Sequence, residues 1–547
     1  MGEYMTIIDE TTNDVAKTGV SRRHFIQGAA AAAAGTALPV AGALGAGVAS
    51  AATAKTLRIA YQQQEAPAAP WETRGGSLGI LGCVGEWLIW VDGLGKLFPA
   101  IATSWKGSNG AATWTFKIRT DVKFHDGTAL TAEDVKYTFE SHMNPANKSR
   151  SAAILSGVSA ITIVDKTTVK FDLKGPNANF PANVGSASYG LCIIKKGADG
   201  GVAWTTKMNG AGPWIMTKHT INERTIFKAN KDYYDKARIP KWDTLEMTQY
   251  VSAATAIPAL LTGKLDSIWL LLNQEAAKLP KAKYEVTKVA TCGGLHMHMR
   301  CDFGPFMDKR VRKAAALTLD RAGYIKGVLG GAGEVANDSV MDSFKASVDT
   351  TVPQRKQDIA AAKKLMAEAG VPNGFKVDLH TWQRDDNDKF AQYVKTAFKE
   401  IGIDVTLNID GSDGGAAVFY TYVPATSKKG VVPANNGSWL ACNLGIAEWG
   451  GRPTPDQYLA REWHSEGDWN AAHVNSPALD AAITEWQSAV TAAKQKAASS
   501  KIQKASLEET PYIVAYNEVR VSATSKRVKG LAYNAMGQLD LRNARPA

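Results

Sequence analysis

The stretch that most constrains the fold runs from Lys376 to Ile409. Lys376–Thr381 alternates apolar and polar residues as a strand does, Asp388–Glu400 follows with a helical period, and Ile403–Ile409 returns to a strand. Phe390, Tyr393, Val394, Ala397, Phe398 and Ile401 fall on one helix face. A strand, a helix and a second strand in this order form the crossover that joins parallel neighbours, so the chain contains an α/β unit. Its 547 residues predict more than two structural units at ~100–200 residues each. Further strands are expected at Lys55–Tyr61, Thr113–Arg119, Ala160–Val164, Thr168–Leu173, Tyr512–Tyr516 and Arg520–Ala523, with Ile268–Leu272 as a buried strand. Thr131 caps a helix running through Ser141, and Gly263 and Gly370 close helices over Ala253–Thr262 and Asp358–Ala369. Residues 309–329 read as one helix capped by Asp308, and Ser476 and Pro477 open another.

The N-terminus stands apart from this pattern. Ser21-Arg22-Arg23-His24-Phe25-Ile26 precedes a weakly apolar, Ala- and Gly-rich run that contains Pro39 and ends at Ala49-Ser50-Ala51. That is the layout of a cleaved secretory signal, and its paired arginines resemble the twin-arginine type. Residues 1–51 are therefore expected to be removed on export to the periplasm. No later run reaches ~20 uninterrupted apolar residues, so no transmembrane helix is expected. The formal charge is +11 for the whole chain. Lys and Arg are spread among acids without a basic block, which argues against nucleic acid as a partner.

The sequence carries few marks of catalysis. It has no H-E-x-x-H and no G-x-x-x-x-G-K-[S/T]. Gly331–Ala336 resembles a dinucleotide loop but follows a helix rather than a strand. His296 and His298 alternate on a strand and face one side, yet a metal needs a third ligand, so neither metal nor cofactor is expected. Five Cys at 83, 192, 292, 301 and 442 leave at least one thiol free, with Cys292 and Cys301 the pair closest in sequence.

Several blocks, in order from about Lys55 almost to the C-terminus, resemble the exported solute-binding proteins of ABC importers, specifically the dipeptide/oligopeptide/nickel type known as solute-binding family 5. They include Leu97–Trp105, Trp114–Arg119 with Val122–Gly127 and Leu130–Val135, Asn209–Trp214, Ala229–Tyr234, Leu260–Asp266, Gly304–Ala314 and Asn475–Asp480. The resemblance implies an α/β fold of two lobes, the large type with an extra subdomain, and a ligand cleft between the lobes. Expected boundaries are 52–291 for the first lobe with the subdomain at about 96–205, 292–514 for the second, and 515–547 for a return to the first. It also implies a monomeric, non-catalytic receptor that passes its cargo to permease subunits in the inner membrane.

The resemblance places ligand contacts on a few loops. In Glu448–Asp456, peptide-binding members carry a Trp and, three residues on, an Asp that meets the peptide ammonium. Here Trp449 is kept but Arg452 stands at the Asp position. A cation there suits a carboxylate or phosphate in fork geometry, or else an internal salt bridge, with Asp456 as a displaced partner or a helix cap. Trp382, Gln63, Trp439 and Asn436, with Asn435 beside it, are the other candidate contacts, whereas Trp71 and Trp87 read as packing. The ligand expected is a peptide-like or other carboxylate-bearing solute. A sugar oligomer or metal chelate is the alternative within the family, and an exported hydrolase the alternative outside it.

Overall fold

The computed structural model describes residues 55–547 except 62–69, 72–76, 93–94, 150, 187, 199–207, 251, 412–418, 420–437, 453, 535 and 537. The signal segment, Gln63, Asn435 and Asn436 thus lie outside the described residues.

Among the described residues two mixed sheets organise the chain. In the larger, Thr56–Tyr61 lies between Ser267–Leu271 and Thr244–Gln249 and is parallel to both. Antiparallel strands extend it: Arg224–Ala229 and Trp214–Thr220 on one side, Tyr516–Ser525 and Tyr284–Ala290 on the other, with Gly333–Val335 also pairing to Tyr516–Ser525. The smaller sheet has the order Asp404–Asp410, Lys376–Trp382, Leu444–Trp449, Gly294–Met299, Tyr512–Ile513. The predicted crossover is present: Lys376–Trp382 and Asp404–Asp410 pair in parallel, and the helix Asp385–Lys399 links them with Phe390, Val394 and Phe398 fully buried.

A separate four-stranded antiparallel sheet, Ala102–Ser108, Thr113–Ile118, Thr168–Leu173 and Val158–Asp165, packs under the helix Ala132–Met143. That helix starts as expected: the Asp134 carboxylate accepts the Thr131 backbone N–H at 2.7 Å. Its core is aromatic. Phe171 sits 5.1 Å from Phe139, 5.3 Å from Phe180 and 5.5 Å from Phe116, ring centre to ring centre, and is fully buried.

Three expectations need correcting. Residues 309–329 are two helices, Lys309–Leu317 and Arg321–Gly327, because Asp320 caps the second by accepting the Gly323 N–H at 2.9 Å. Tyr512–Tyr516 is not one strand. It breaks at Val514-Ala515, where the chain passes from the smaller sheet to the larger. Leu272 is half exposed, one residue beyond the strand Ser267–Leu271. All five cysteines are free. The strand Gly294–Met299 separates Cys292 from Cys301, and an extended segment keeps such a pair far beyond disulfide reach.

Phe171→Ala should destabilise the protein by ~3–5 kcal/mol, the cost of emptying a fully buried aromatic site. Urea unfolding monitored by circular dichroism measures it, and a loss below about 1 kcal/mol would mean that this core can collapse around the void.

Candidate functional site

Open α/β sheets present ligands with the carboxyl ends of their parallel strands. In the larger sheet those ends are Tyr61, Gln249 and Leu271; in the smaller they are Trp382, Asp410 and Trp449. Apart from the excursion that brings Gly333–Val335 alongside Tyr516–Ser525, the chain passes between the sheets at 291–293 and at 514–515. At the first passage a Cβ on Gly293 would lie 2.4 Å from the Trp449 carbonyl and 2.7 Å from the Gly451 nitrogen, so only glycine permits this approach. The Tyr458 hydroxyl lies 2.7 Å from the carbonyl oxygens of both Cys292 and Gly450, which ties the passage to the same loop.

Trp449, Trp439 and Trp382 come together in one apolar cluster. Trp449 and Trp439 are largely enclosed: the Trp449 ring is 6.1 Å from Trp439, 5.5 Å from Trp469, 5.5 Å from Tyr458 and 5.7 Å from His296. Trp382 is half-buried at its strand end, with an indole N–H that finds no acceptor among the described residues.

Beside these rings stands a chain of alternating charge. Arg384 pairs with Glu448, with Asp386 at 2.8 Å and with Glu518 at 3.9 Å. Arg520 pairs with Glu518 at 3.1 Å and lies over the Trp269 ring at 5.1 Å, which carries the chain into the larger sheet. Burial alone would raise the Glu448 carboxyl; Arg384 against it, with smaller help from Arg520 and Arg452, holds it below the usual carboxylate value. Burial raises Asp386, and Arg384 only partly offsets that. Arg384 follows the candidate Trp382 by two residues, whereas Glu518 and Arg520 lie more than 100 residues away and meet it only through the second passage, so no local pattern in the sequence joins them.

Arg452 joins none of the ion pairs among the described residues, and its Nε is buried without a hydrogen-bond partner. Of the acids nearest in sequence, Glu448 pairs with Arg384, and Asp456 accepts from the Asn179 amide at 3.0 Å through Oδ1 while its Oδ2 is buried without a hydrogen-bond partner among the described residues. Asp456 is the first residue of the short helix Asp456–Tyr458, one place inside the cap position. Thr454 and Gln457 of the same loop bond to Asn183 and Ser188.

The two strand histidines have structural partners. His296 Nδ1 lies 2.8 Å from Glu462, and His298 Nε2 lies 3.3 Å from both the Cys442 carbonyl and its sulfur. No group of three His, Cys, Asp or Glu able to hold a metal occurs among the described residues.

A family description, "Bacterial extracellular solute-binding proteins, family 5 Middle", matches residues 96–470, and one for the twin-arginine translocation signal matches residues 19–39. The chain belongs to solute-binding family 5. It is a periplasmic solute-binding protein of the ABC-importer type, exported by the twin-arginine pathway. Among its relatives, the glutathione-binding protein GsiB of Pectobacterium atrosepticum is 26% identical over 441 residues, covering 80% of this chain and 83% of that one. Heme-binding protein A of Haemophilus influenzae is 24% identical over 477 residues, covering 80% and 82%. The solved structure of AgaA from A. tumefaciens in complex with agropinic acid superposes with a TM-score of 0.74 at 22% identity, covering 90% of this chain and 99% of that one. The fold is the two-lobe periplasmic binding-protein fold.

Burial pulls the His298 imidazole down to about 3, only partly opposed by its bond to the Cys442 carbonyl. In the unfolded chain the ring titrates near 6.5. The folded state therefore keeps a neutral ring that the unfolded chain protonates, and the stability this provides is present above about pH 6.5 and is lost as pH falls toward 3. His298→Gln should lose less stability than the parent between pH 7.5 and pH 4.5, by about 2 kcal/mol. Equal losses in urea titrations at the two pH values would contradict this.

Proposed function

We propose that this receptor captures an anionic organic solute, peptide-like or otherwise carboxylate-bearing, with Arg452 as its charged anchor. The carrying observation is the guanidinium itself. It is half-buried, its Nε has no partner among the described residues, and the acids near it in sequence are bound to other groups. A buried donor without an acceptor is costly, and a ligand carboxylate in fork geometry would satisfy it. Trp382, at the half-exposed edge of the aromatic cluster, supplies a wall and a second free donor. Trp439 and Trp449 shape the pocket from behind. Agropinic acid and glutathione, the ligands named for two similar proteins, support an organic solute of this kind.

Function follows from enclosure. The two passages at 291–293 and 514–515 act as the hinge between a first lobe built on the larger sheet and a second built on the smaller, and the lobes close around the solute. The receptor is non-catalytic and monomeric and delivers its cargo to ABC permease subunits.

Arg452→Ala should weaken binding of a carboxylate ligand by ~1.5–3 kcal/mol, about 10- to 150-fold. Calorimetry with glutathione and with tripeptides carrying free or amidated C-termini provides the reading. The parent should prefer the free acid and the variant should not. A variant that keeps the preference would remove Arg452 from the ligand's charge.

A further inference from the structure

The loop that presents Arg452 also reaches the opposite lobe. Asn179 Nδ2 donates to Asp456 Oδ1 at 3.0 Å, Thr454 Oγ1 donates to Asn183 Oδ1 at 3.2 Å, and Gln457 Nε2 donates to Ser188 Oγ at 3.2 Å. Helices of the second lobe add two more bonds. Gln495 Nε2 donates to Asn179 Oδ1 at 3.1 Å, and the Gln487 carbonyl accepts the Ala178 N–H at 2.9 Å. On the first-lobe side these groups flank the short helix Phe180–Asn183, which Phe180 fixes to the aromatic core of the subdomain.

These contacts have the character of a built interface. Asn183, Ser188 and Asp456 are each more than nine-tenths buried, and each has a polar atom that finds its partner across the contact: Asn183 Oδ1, Ser188 Oγ and Asp456 Oδ1. Both ends of the Asn179 amide are used, its nitrogen by Asp456 and its oxygen by Gln495. The bonds run directly from lobe to lobe and need no third component. A closed arrangement with its own favourable contacts is populated in proportion to their strength, and a ligand shifts that population further.

We propose that Asn179 and Asp456 form a polar latch, supported by Gln495, Thr454 and Asn183, that holds the two lobes together before cargo binds. Asp456 stands four residues beyond Arg452 on a loop pinned to the first passage by Tyr458 and Gly293. Movement of Arg452 toward a solute is thereby coupled to the latch. Asn179 and Asp456 are positioning residues that touch each other across the cleft, and the proposal stands independently of the charge of the cargo.

A charge swap tests it. The protein is unfolded in guanidinium and refolded to strip cargo, and small-angle X-ray scattering is recorded at pH 8 on the ligand-free chain. Asn179→Asp sets two carboxylates against each other and should raise the radius of gyration above the parent value. The double variant Asn179→Asp/Asp456→Asn restores one carboxylate facing one amide, with Gln495 still able to donate to residue 179, and should return the radius to that of the parent. An unchanged radius in Asn179→Asp, or a double variant as expanded as the single, would overturn the latch. If Asn179→Asp does not fold, Asn179→Ala takes its place: expansion supports the latch and no expansion overturns it. Arg452→Ala should leave the ligand-free radius unchanged, so the latch and the anion anchor fail separately.

Discussion

A backbone-on-backbone approach at Gly293 governs where everything else in the cleft can stand. The first passage between the lobes runs so close to Trp449 and Gly451 that no side chain fits between them. The Tyr458 hydroxyl closes the same contact from the other end of the loop. Residues 449–458 are therefore not a free surface loop. They are held against the first passage between the sheets, and they carry Trp449, the unpartnered Nε of Arg452 and the bonds from Thr454, Asp456 and Gln457 to Asn183, Asn179 and Ser188.

Charge is distributed around this point with a consistent logic. Arg384, Glu448, Glu518 and Arg520 satisfy one another and bridge from the smaller sheet to the larger. Each keeps only part of its side chain in water, so removing one would strand the others. Arg452 joins no ion pair of this set, and its buried Nε is the donor that the proposed anion would satisfy. Had Arg452 taken Glu448, the site would be a closed salt bridge with no charge left to offer.

Much of the fold was legible because local chemistry and global topology agree in it. The crossover at 376–410, the cap at Thr131 and the stop at Gly370 are each fixed by residues within a few positions, and each appears where the periodicity put it. The misreadings have a different cause. The helical period continues through 318–320, but the Asp320 carboxylate captures the Gly323 N–H and starts a second helix. The apolar run at 512–516 looks like one strand, but its middle is a passage between sheets, and no local signal marks that. Of the proposed site, Trp449 and Arg452 could be named from one loop and its resemblance to a family, Trp382 from the end of a strand and Trp439 from a Gly/Pro-rich loop. Arg520 and Asn179 could not, because what they meet across the fold, Trp269 for Arg520 and Asp456 and Gln495 for Asn179, lies more than 200 residues away. The run Gly175-Pro176-Asn177-Ala178-Asn179 did carry a clue: a polar turn between two apolar segments has free amides to offer.

A receptor that holds an organic anion should yield it unaltered to mass spectrometry of a denatured extract from freshly purified mature protein. One small molecule is expected in about equimolar amount, bearing a carboxylate or phosphate and rebinding unchanged when returned to the stripped protein. A cationic or neutral cargo would contradict the role given to Arg452, and conversion of the returned molecule into a product would contradict the receptor itself.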